Sequence, residues 1–415
     1  MKALRFHASI PRYIITKILG KITKLAYLNF FPPTRLDDIS EPDVRKGWIK
    51  IRPIYAGICG SDVNTVLLRE SPLLEPLCSF PAVLGHENVG EVTKIGPDVT
   101  NVEIGDRIVL DPILSCKTRN ITPICQNCEK GYTMRCENFD RGSISPAFDT
   151  GWCHDTGGAF SQYYLAHKTQ IYKIPRNIPN ENAVFVEPFT IGIHAVLQNF
   201  PKDSDTIIVI GVGIIGLMVI MALRSFGSKA MIVAIDKSEY QGRIAIEKGG
   251  ADIFIQVKRG YYQEIAKLFN ARVYKPILEK KGLLVGGGAE VVYECVGLPA
   301  TIEDALRFTK AGGKMILIGN PNKITVDWSL VWAREIQVLG SFASSMEEYI
   351  SGQRKHAFNI ALDLMNSGKV DFSWMITHKF RFPEEYKKAF KYSMNKEKYN
   401  AIKVIFIFDK ERFPS

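Results

Sequence analysis

The sequence contains no apolar run of about 18 residues, so no membrane-spanning helix is expected. Residues 1–30 mix Lys and Arg with apolar side chains, but Lys17, Lys21 and Lys24 interrupt every run before it reaches signal-peptide length. No small-residue cleavage site follows, and a cytoplasmic protein without a membrane partner is expected. Cysteine is scarce, with eight among 415 residues, which in a long chain without an export signal excludes a disulfide-stapled scaffold. There is no internal repeat and no low-complexity tract, so solenoids and disordered arrays are excluded as well. Nor is there a block of one charge sign. Lys and Arg number 53 against 43 Asp and Glu, but the densest basic spots, 275–281 and 387–398, are interleaved with acids and read as solvated faces. Nucleic acid is not implied. What remains is a chain with 46% hydrophobic residues, long enough for two or three domains, that reads as an ordinary soluble enzyme.

Residues 49–110 carry short alternating apolar runs punctuated by Gly and Pro, which predicts a β-rich first half. The pattern changes near Pro201. Strand-like runs at 206–210, 231–235, 290–295 and 314–318 then alternate with helical ones at 215–226, 240–248 and 300–309. Such alternation implies right-handed βαβ units and a doubly wound parallel sheet. After Gly340 the pattern is mixed, with a helix expected over 353–365 and a last strand over 401–408 that can return to the first domain. The stretch 258–288 reads as a helix plus an irregular insertion.

The strand at 206–210 runs directly into Gly211-Val212-Gly213-Ile214-Ile215-Gly216 and then a helix. In that context Gly211 permits the tight turn, Gly213 lets the backbone approach a pyrophosphate, and Gly216 lets helix and strand pack closely. The helix N-terminus is left to hold the phosphates. Asp236 ends the next strand twenty residues past Gly216, where a carboxylate accepts hydrogen bonds from an adenosine ribose. NAD is therefore favoured over NADP, although Lys237 stands beside the acid. Ile215 and Val296 complete the expected cofactor-binding set.

Cys125 and Cys128 are spaced to hold one ion, and Cys116 and Cys136 can supply the other corners of a tetrahedron. Four thiolates close such a site, so this lobe is expected to pin a loop rather than perform chemistry. Eight residues separate Cys116 from Cys125, an unusual spacing. A second set, Cys59, His86 and Glu187, is dispersed, and spacing alone cannot pair it. Each is a competent zinc ligand, and three of them would leave a position open for an alcohol oxygen. Read singly, each also has a bland explanation as a buried thiol, a turn histidine and a surface acid.

Together these residues resemble the medium-chain dehydrogenase/reductase superfamily, particularly its zinc alcohol, sorbitol and threonine dehydrogenases. Gly85-His86-Glu87 is followed by Gly90, Gly96 and Val99 at the zinc-signature spacing, then by Gly105-Asp106-Arg107, the cysteine lobe, Glu187-Pro188 and the glycine fingerprint, in order. The resemblance implies a β-rich GroES-like catalytic domain in two pieces, 1–187 and 341–415, around a Rossmann domain at 188–340. It implies one structural and one catalytic zinc, the latter held by Cys59, His86 and Glu187, with Glu87 a nearby carboxylate able to exchange onto the metal. It casts Asp62 as acceptor of a His86 hydrogen bond and Ser61 as the hydroxyl that passes on the alcohol proton. Glu187, where liver-type enzymes carry cysteine, resembles the polyol and threonine branches, pointing to a secondary alcohol, diol or polyol. Departures are Asn64 in place of a relay histidine, Thr122 where the first lobe cysteine usually falls, an insertion between Pro11 and Pro33, and an extra loop around 148–158. A homodimer or homotetramer is implied. The segment 328–332 is a candidate apolar contact surface, with core packing the favoured reading.

Three other readings compete: a zinc-independent reductase of enones or quinones, a non-catalytic NAD-binding homologue, and a nucleic-acid-binding zinc protein. The first lacks a use for Cys59, His86 and Glu187. The last leaves the glycine fingerprint without a role.

Overall fold

The computed structural model describes residues 1–342, 347–350 and 352–409. It falls into two units, Met1–Glu187 with Ser344–Ser415, and Pro188–Ala343.

The first unit is organised by the strand Trp48–Gly57, in which Ile49 and Ile51 are buried on one face while Lys50 and Arg52 on the other are partly covered and pair with Glu41 and Glu91. That period of two is what a half-buried antiparallel strand requires. It pairs with Glu87–Ile95, setting Ile51 opposite Val92 and Gly57 opposite Glu87. The whole sheet runs in the order Ile376–Arg381, Lys403–Ile407, Trp48–Gly57, Glu87–Ile95, Arg107–Leu110, Ile171–Lys173, and Tyr164–His167 also pairs with Trp48–Gly57. The chain's last strand thus returns to its first unit, with Phe406 opposite Ala56. Phe160, Phe390 and Phe406 interlock beneath it, the Phe160 and Phe406 rings 5.0 Å apart and edge to face. Burying each such ring stabilises the fold by roughly 2–3 kcal/mol.

A smaller sheet joins Thr34–Asp38, Lys2–Phe6 and Ala82–Val83. The N-terminal insertion leaves and re-enters it as the helix Ile10–Gly20, with Pro11 in the first turn where its missing N–H costs nothing, and a short 3-10 turn, Lys24–Tyr27.

The second unit is a six-stranded, wholly parallel sheet in the order Ile253–Gln256, Met231–Asp236, Thr206–Ile210, Ala289–Glu294, Thr309–Leu317, Gln337–Gly340. Ile207 to Ile210 are all buried, as expected of a strand covered on both faces. The chain enters at the middle, builds outward, then crosses to the other side. The switch point lies between Thr206–Ile210 and Ala289–Glu294, where open α/β sheets bind ligands.

Three expectations need correction. The helix expected over 353–365 begins later: Gln353–His356 is a strand paired with Glu347–Ile350, and the helix is Ala357–Asn366. The polar start of the segment serves a hairpin, and His356 Nδ1 then caps the helix by accepting from the Phe358 N–H. The insertion in 258–288 is not irregular, because after the helix Tyr261–Leu268 it forms a hairpin of Arg272–Tyr274 with Leu283–Val285. In 328–332, Leu330 and Val331 pack on the core, but Trp328 and Trp332 are 50% and 87% exposed, so core packing fails for both indoles.

Candidate functional site

The four lobe cysteines converge, their sulfurs all within 4.8 Å of one another. Cys125 precedes the short helix Gln126–Glu129, which carries Cys128, and Cys116 comes within reach despite its spacing. Cys116 Sγ lies 3.5 Å from Cys136 Sγ. It accepts from the Cys125 backbone N–H at 3.4 Å and from Asn138 Nδ2 at 3.2 Å, and the Asn138 N–H donates to Cys136 Sγ at 3.4 Å. Donors aimed at sulfur stabilise thiolate, the form that binds metal. Hydrogen bonds led by that from Cys128 pull the Cys136 thiol down to about 5. Burial and the neighbouring thiols push Cys116 and Cys128 the other way, as expected of sulfurs crowded together without a cation, and four converging soft sulfurs fit a closed zinc site.

The lobe is braced by a residue that the sequence did not single out. Arg119 is fully buried, and its guanidinium donates to the carbonyls of Leu114, Arg141, Ile144, Ser145 and Ala147. A single side chain thereby ties together both ends of the cysteine loop.

The second cluster forms where Trp48–Gly57 ends. Cys59 precedes the helix Gly60–Val66, and its backbone N–H donates to Asp62 Oδ2 at 2.9 Å, which fixes the turn. Ligand atoms of Cys59, His86 and Glu87 lie within 4.8 Å of one another. The carboxylate in this grouping is Glu87, and Glu187, the ligand implied by resemblance, lies outside it. Glu187 is buried and close enough to act on His86 through its charge. Asp62 does not take the hydrogen bond assigned to it: His86 Nδ1 stands 4.0 Å from Asp62 Oδ1, beyond reach. His86 Nδ1 and Ser61 Oγ, both buried, have no hydrogen-bond partner among the described residues.

Electrostatics reveal what the pocket is short of. Burial pushes Asp62 up to about 6 and Glu187 up to about 7, in each case against the pull of His86. Burial opposes a charge on His86, yet Cys59, Asp62 and Glu187 outweigh it and hold the imidazole well above its ordinary value. Asp149, which the sequence also passed over, is buried in the same field and pushed well up, with Oδ1 unpartnered among the described residues. Several buried carboxylates and a thiol around one imidazole form an anionic site, and a divalent cation fits it.

Two lysines are already close: burial lowers Lys396 to about 8 within the field of Lys403, Cys59 and Glu87. Lys403 Nζ pairs with Glu87 Oε2, and both side chains are 2% exposed. The only hint in the sequence was a lone lysine inside an apolar strand. Gly57 makes room for the pair, since a Cβ there would stand 2.2 Å from Glu87 Oε2 and 2.7 Å from Lys403 Cε.

In the second unit Gly211 sits at φ +84°, and a Cβ on Gly216 would lie 2.1 Å from Gly211 O, so the turn and the helix contact both require glycine. The helix Ile214–Ser225 starts at Gly213. Asp236 lies beside this loop, accepting from the Val212 N–H at 2.9 Å and the Ser238 N–H at 2.8 Å. Val296 touches the same turn, its Cγ2 2.2 Å from where a Gly211 Cβ would sit. Ile215 occupies the first turn of the helix, and Lys237 follows Asp236.

Residues 45–176 match the alcohol dehydrogenase GroES-like domain, and residues 215–366 match the zinc-binding dehydrogenase domain. L-idonate 5-dehydrogenase of Vitis vinifera is 30% identical over 364 residues, 86% of this chain and 87% of the relative. The chain belongs to the zinc-dependent medium-chain dehydrogenase/reductase superfamily. Another relative within it, sorbitol dehydrogenase of Arabidopsis thaliana, is 29% identical over 88% of this chain and 90% of its own. The fold is also that of 2R,3R-butanediol dehydrogenase from Bacillus subtilis, with a TM-score of 0.69 at 24% identity over 98% of this chain and 99% of the other. As a member of this superfamily the protein is a zinc-dependent oxidoreductase that moves hydride between an alcohol and a nicotinamide dinucleotide. Among the described residues no helix is long and apolar enough to cross a membrane.

Proposed function

We propose that this dehydrogenase oxidises a secondary alcohol, diol or polyol with NAD, using a zinc held by Cys59, His86 and Glu87. The observation that carries the reading is the convergence of those three ligand atoms near Ser61, whose hydroxyl has no hydrogen-bond partner among the described residues. When bound, zinc supplies Lewis acidity toward the alcohol oxygen, and NAD supplies the hydride acceptor. Ser61 Oγ is free to accept the alcohol proton and pass it on, and Asn64, an amide, cannot continue that relay by titrating. Lys403 pairs with Glu87 and keeps its carboxylate beside the site. Glu187 and Asp149 are buried acceptors for a second substrate hydroxyl, which is what a diol or polyol brings. Relatives named for idonate, sorbitol and butanediol support that substrate class. Asp236, already bound to the Val212 N–H beside the glycine turn, favours NAD over NADP by repelling a 2′-phosphate.

The four lobe cysteines are assigned to a structural zinc. The catalytic domain is assigned to 1–187 with 341–415 and the NAD-binding domain to 188–340. A homodimer or homotetramer in the cytoplasm is proposed, supported by the exposed Trp328 and Trp332 and the edge strand Gln337–Gly340 in the second unit.

Elemental analysis of the purified protein should give two zinc ions per chain. Cys59→Ser should retain one and lose turnover of diols and sugar alcohols while NAD still quenches intrinsic fluorescence. A wild-type protein that carries a single zinc, insensitive to Cys59→Ser, would overturn the assignment.

A further inference from the structure

No acidic residue occurs before Asp37, and although Lys2, Arg5 and Arg35 pair with Asp37 and Asp38, the insertion itself carries Arg12, Lys17, Lys21 and Lys24 with no carboxylate of its own. The insertion in this stretch folds into the helix Ile10–Gly20, whose inner side includes the buried Thr16. Its outer side is apolar. Ile10, Ile14 and Ile18, spaced by four residues, fall on one side of the helix, with exposures of 73%, 51% and 58%. Ile15 on the same surface, and Ile22, Leu25, Phe30 and Phe31 beyond the helix, extend the exposed apolar surface, Ile22 reaching 81%. The neighbouring turn Pro72–Leu77 adds Leu73 at 84%.

A helix on a water-facing surface normally turns its polar side outward. Here the stripe of isoleucines faces away from the core and is flanked by exposed Lys21 and Lys24. Arg12 lies 5.4 Å from the Phe31 ring, so the aromatic corner is cationic too. An apolar stripe flanked along its own segment by cations, with Glu75 on the neighbouring turn the carboxylate at its Ile10 end, matches an interface that is apolar inside and anionic at its rim.

We propose that the N-terminal insertion is a peripheral membrane-binding surface, which lays Ile14, Ile18 and Ile22 into the headgroup boundary of an anionic bilayer while Lys21 and Lys24 meet the lipid phosphates. A second copy of the chain is the poorer occupant. A two-fold contact on this segment would set its cations against their own copies with no carboxylate from the segment to answer them. The proposal does not depend on the substrate assigned above.

The test is co-sedimentation of the full-length protein with vesicles of phosphatidylcholine alone and of equal parts phosphatidylcholine and phosphatidylglycerol. Binding to the anionic vesicles should exceed that to the neutral ones by about tenfold and fall in high salt. Ile14→Glu with Ile18→Glu, at exposed positions, should abolish it while melting temperature and zinc content stay at wild-type values. Lys21→Gln with Lys24→Gln should weaken it by about thirtyfold. No sedimentation with either vesicle, or sedimentation that both double variants leave unchanged, would overturn the proposal. So would a wild-type dimer that Ile14→Glu with Ile18→Glu converts to monomer without any vesicle binding in the parent.

Discussion

Lys403, in the last strand of the chain, forms a buried ion pair with Glu87, the residue after the site histidine and 316 positions away in sequence. The pair joins the C-terminal tail to the proposed zinc site. Because neither group reaches water, its stability rests on mutual charge neutralisation, and loss of one partner leaves the other unpaired in a medium of low dielectric. Lys403→Met is expected to destabilise the protein by about 3–5 kcal/mol in denaturant unfolding. Glu87→Gln together with Lys403→Met should lose clearly less than the two single changes added. Additive losses would show that the pair is not coupled.

Arg119→Met should loosen the cysteine lobe. It removes the donors to five carbonyls spread from Leu114 to Ala147, some of which have no water to turn to. A loss of about 2–4 kcal/mol is expected, together with faster release of one zinc to a chromogenic chelator. Unchanged release kinetics would leave Arg119 without a part in holding the lobe.

Asp236→Ala should raise the KM for NAD far more than that for NADP, measured by steady-state kinetics with one alcohol. The carboxylate also accepts from the Val212 and Ser238 N–H groups, so the turn itself should soften. Asp236→Asn, which keeps an acceptor but no charge, separates the two effects: the KM ratio should shift while stability is largely kept. An unchanged ratio in both variants would remove Asp236 from the ribose role.

The chelator-treated protein should lose stability as pH rises. Burial raises Asp62 from 3.8 to about 6 and Glu187 from 4.5 to about 7, and His86 is also raised. Over that window the folded state binds more protons than the unfolded one, so unfolding becomes easier from about pH 4 to about pH 7. Zinc replaces those protons with a cation. The gap in melting temperature between loaded and stripped protein should therefore widen from pH 5 to pH 8, and a gap that is constant or narrows would show that these groups do not face the metal.

The glycine fingerprint was legible because a tight turn at φ +84° and a turn carbonyl 2.1 Å from where a Cβ on Gly216 would sit leave glycine no substitute. The lobe was legible through residue type: four cysteines in twenty-one residues have few uses in a chain without disulfides. The strands at 206–210 and 231–235 were legible because burial on both faces writes itself as an unbroken apolar run. Adjacent Glu87 and distant Glu187 could not be ranked as ligands, since chain distance does not say which carboxylate turns toward His86. Lys403 and Arg119 looked like ordinary basic residues in a chain rich in them. Their roles depend on partners set opposite them by the strand pairing and the loop path.

By itself the sequence determined the two kinds of unit, the dinucleotide turn, the cysteine set and the presence of His86 and Cys59 in a zinc-signature context. The first three follow from local periodicity and from residue chemistry that tolerates few alternatives, and the zinc-signature context follows from the family resemblance. Only the tertiary structure decided that Glu87 joins Cys59 and His86, that Lys403 neutralises it, that Asp62 caps a turn instead of orienting the histidine, and that the Ile14 and Ile18 side of the N-terminal helix faces outward. Each of these is a matter of which side chain is left without water or without a core, and burial is a property of the folded whole that no local pattern encodes.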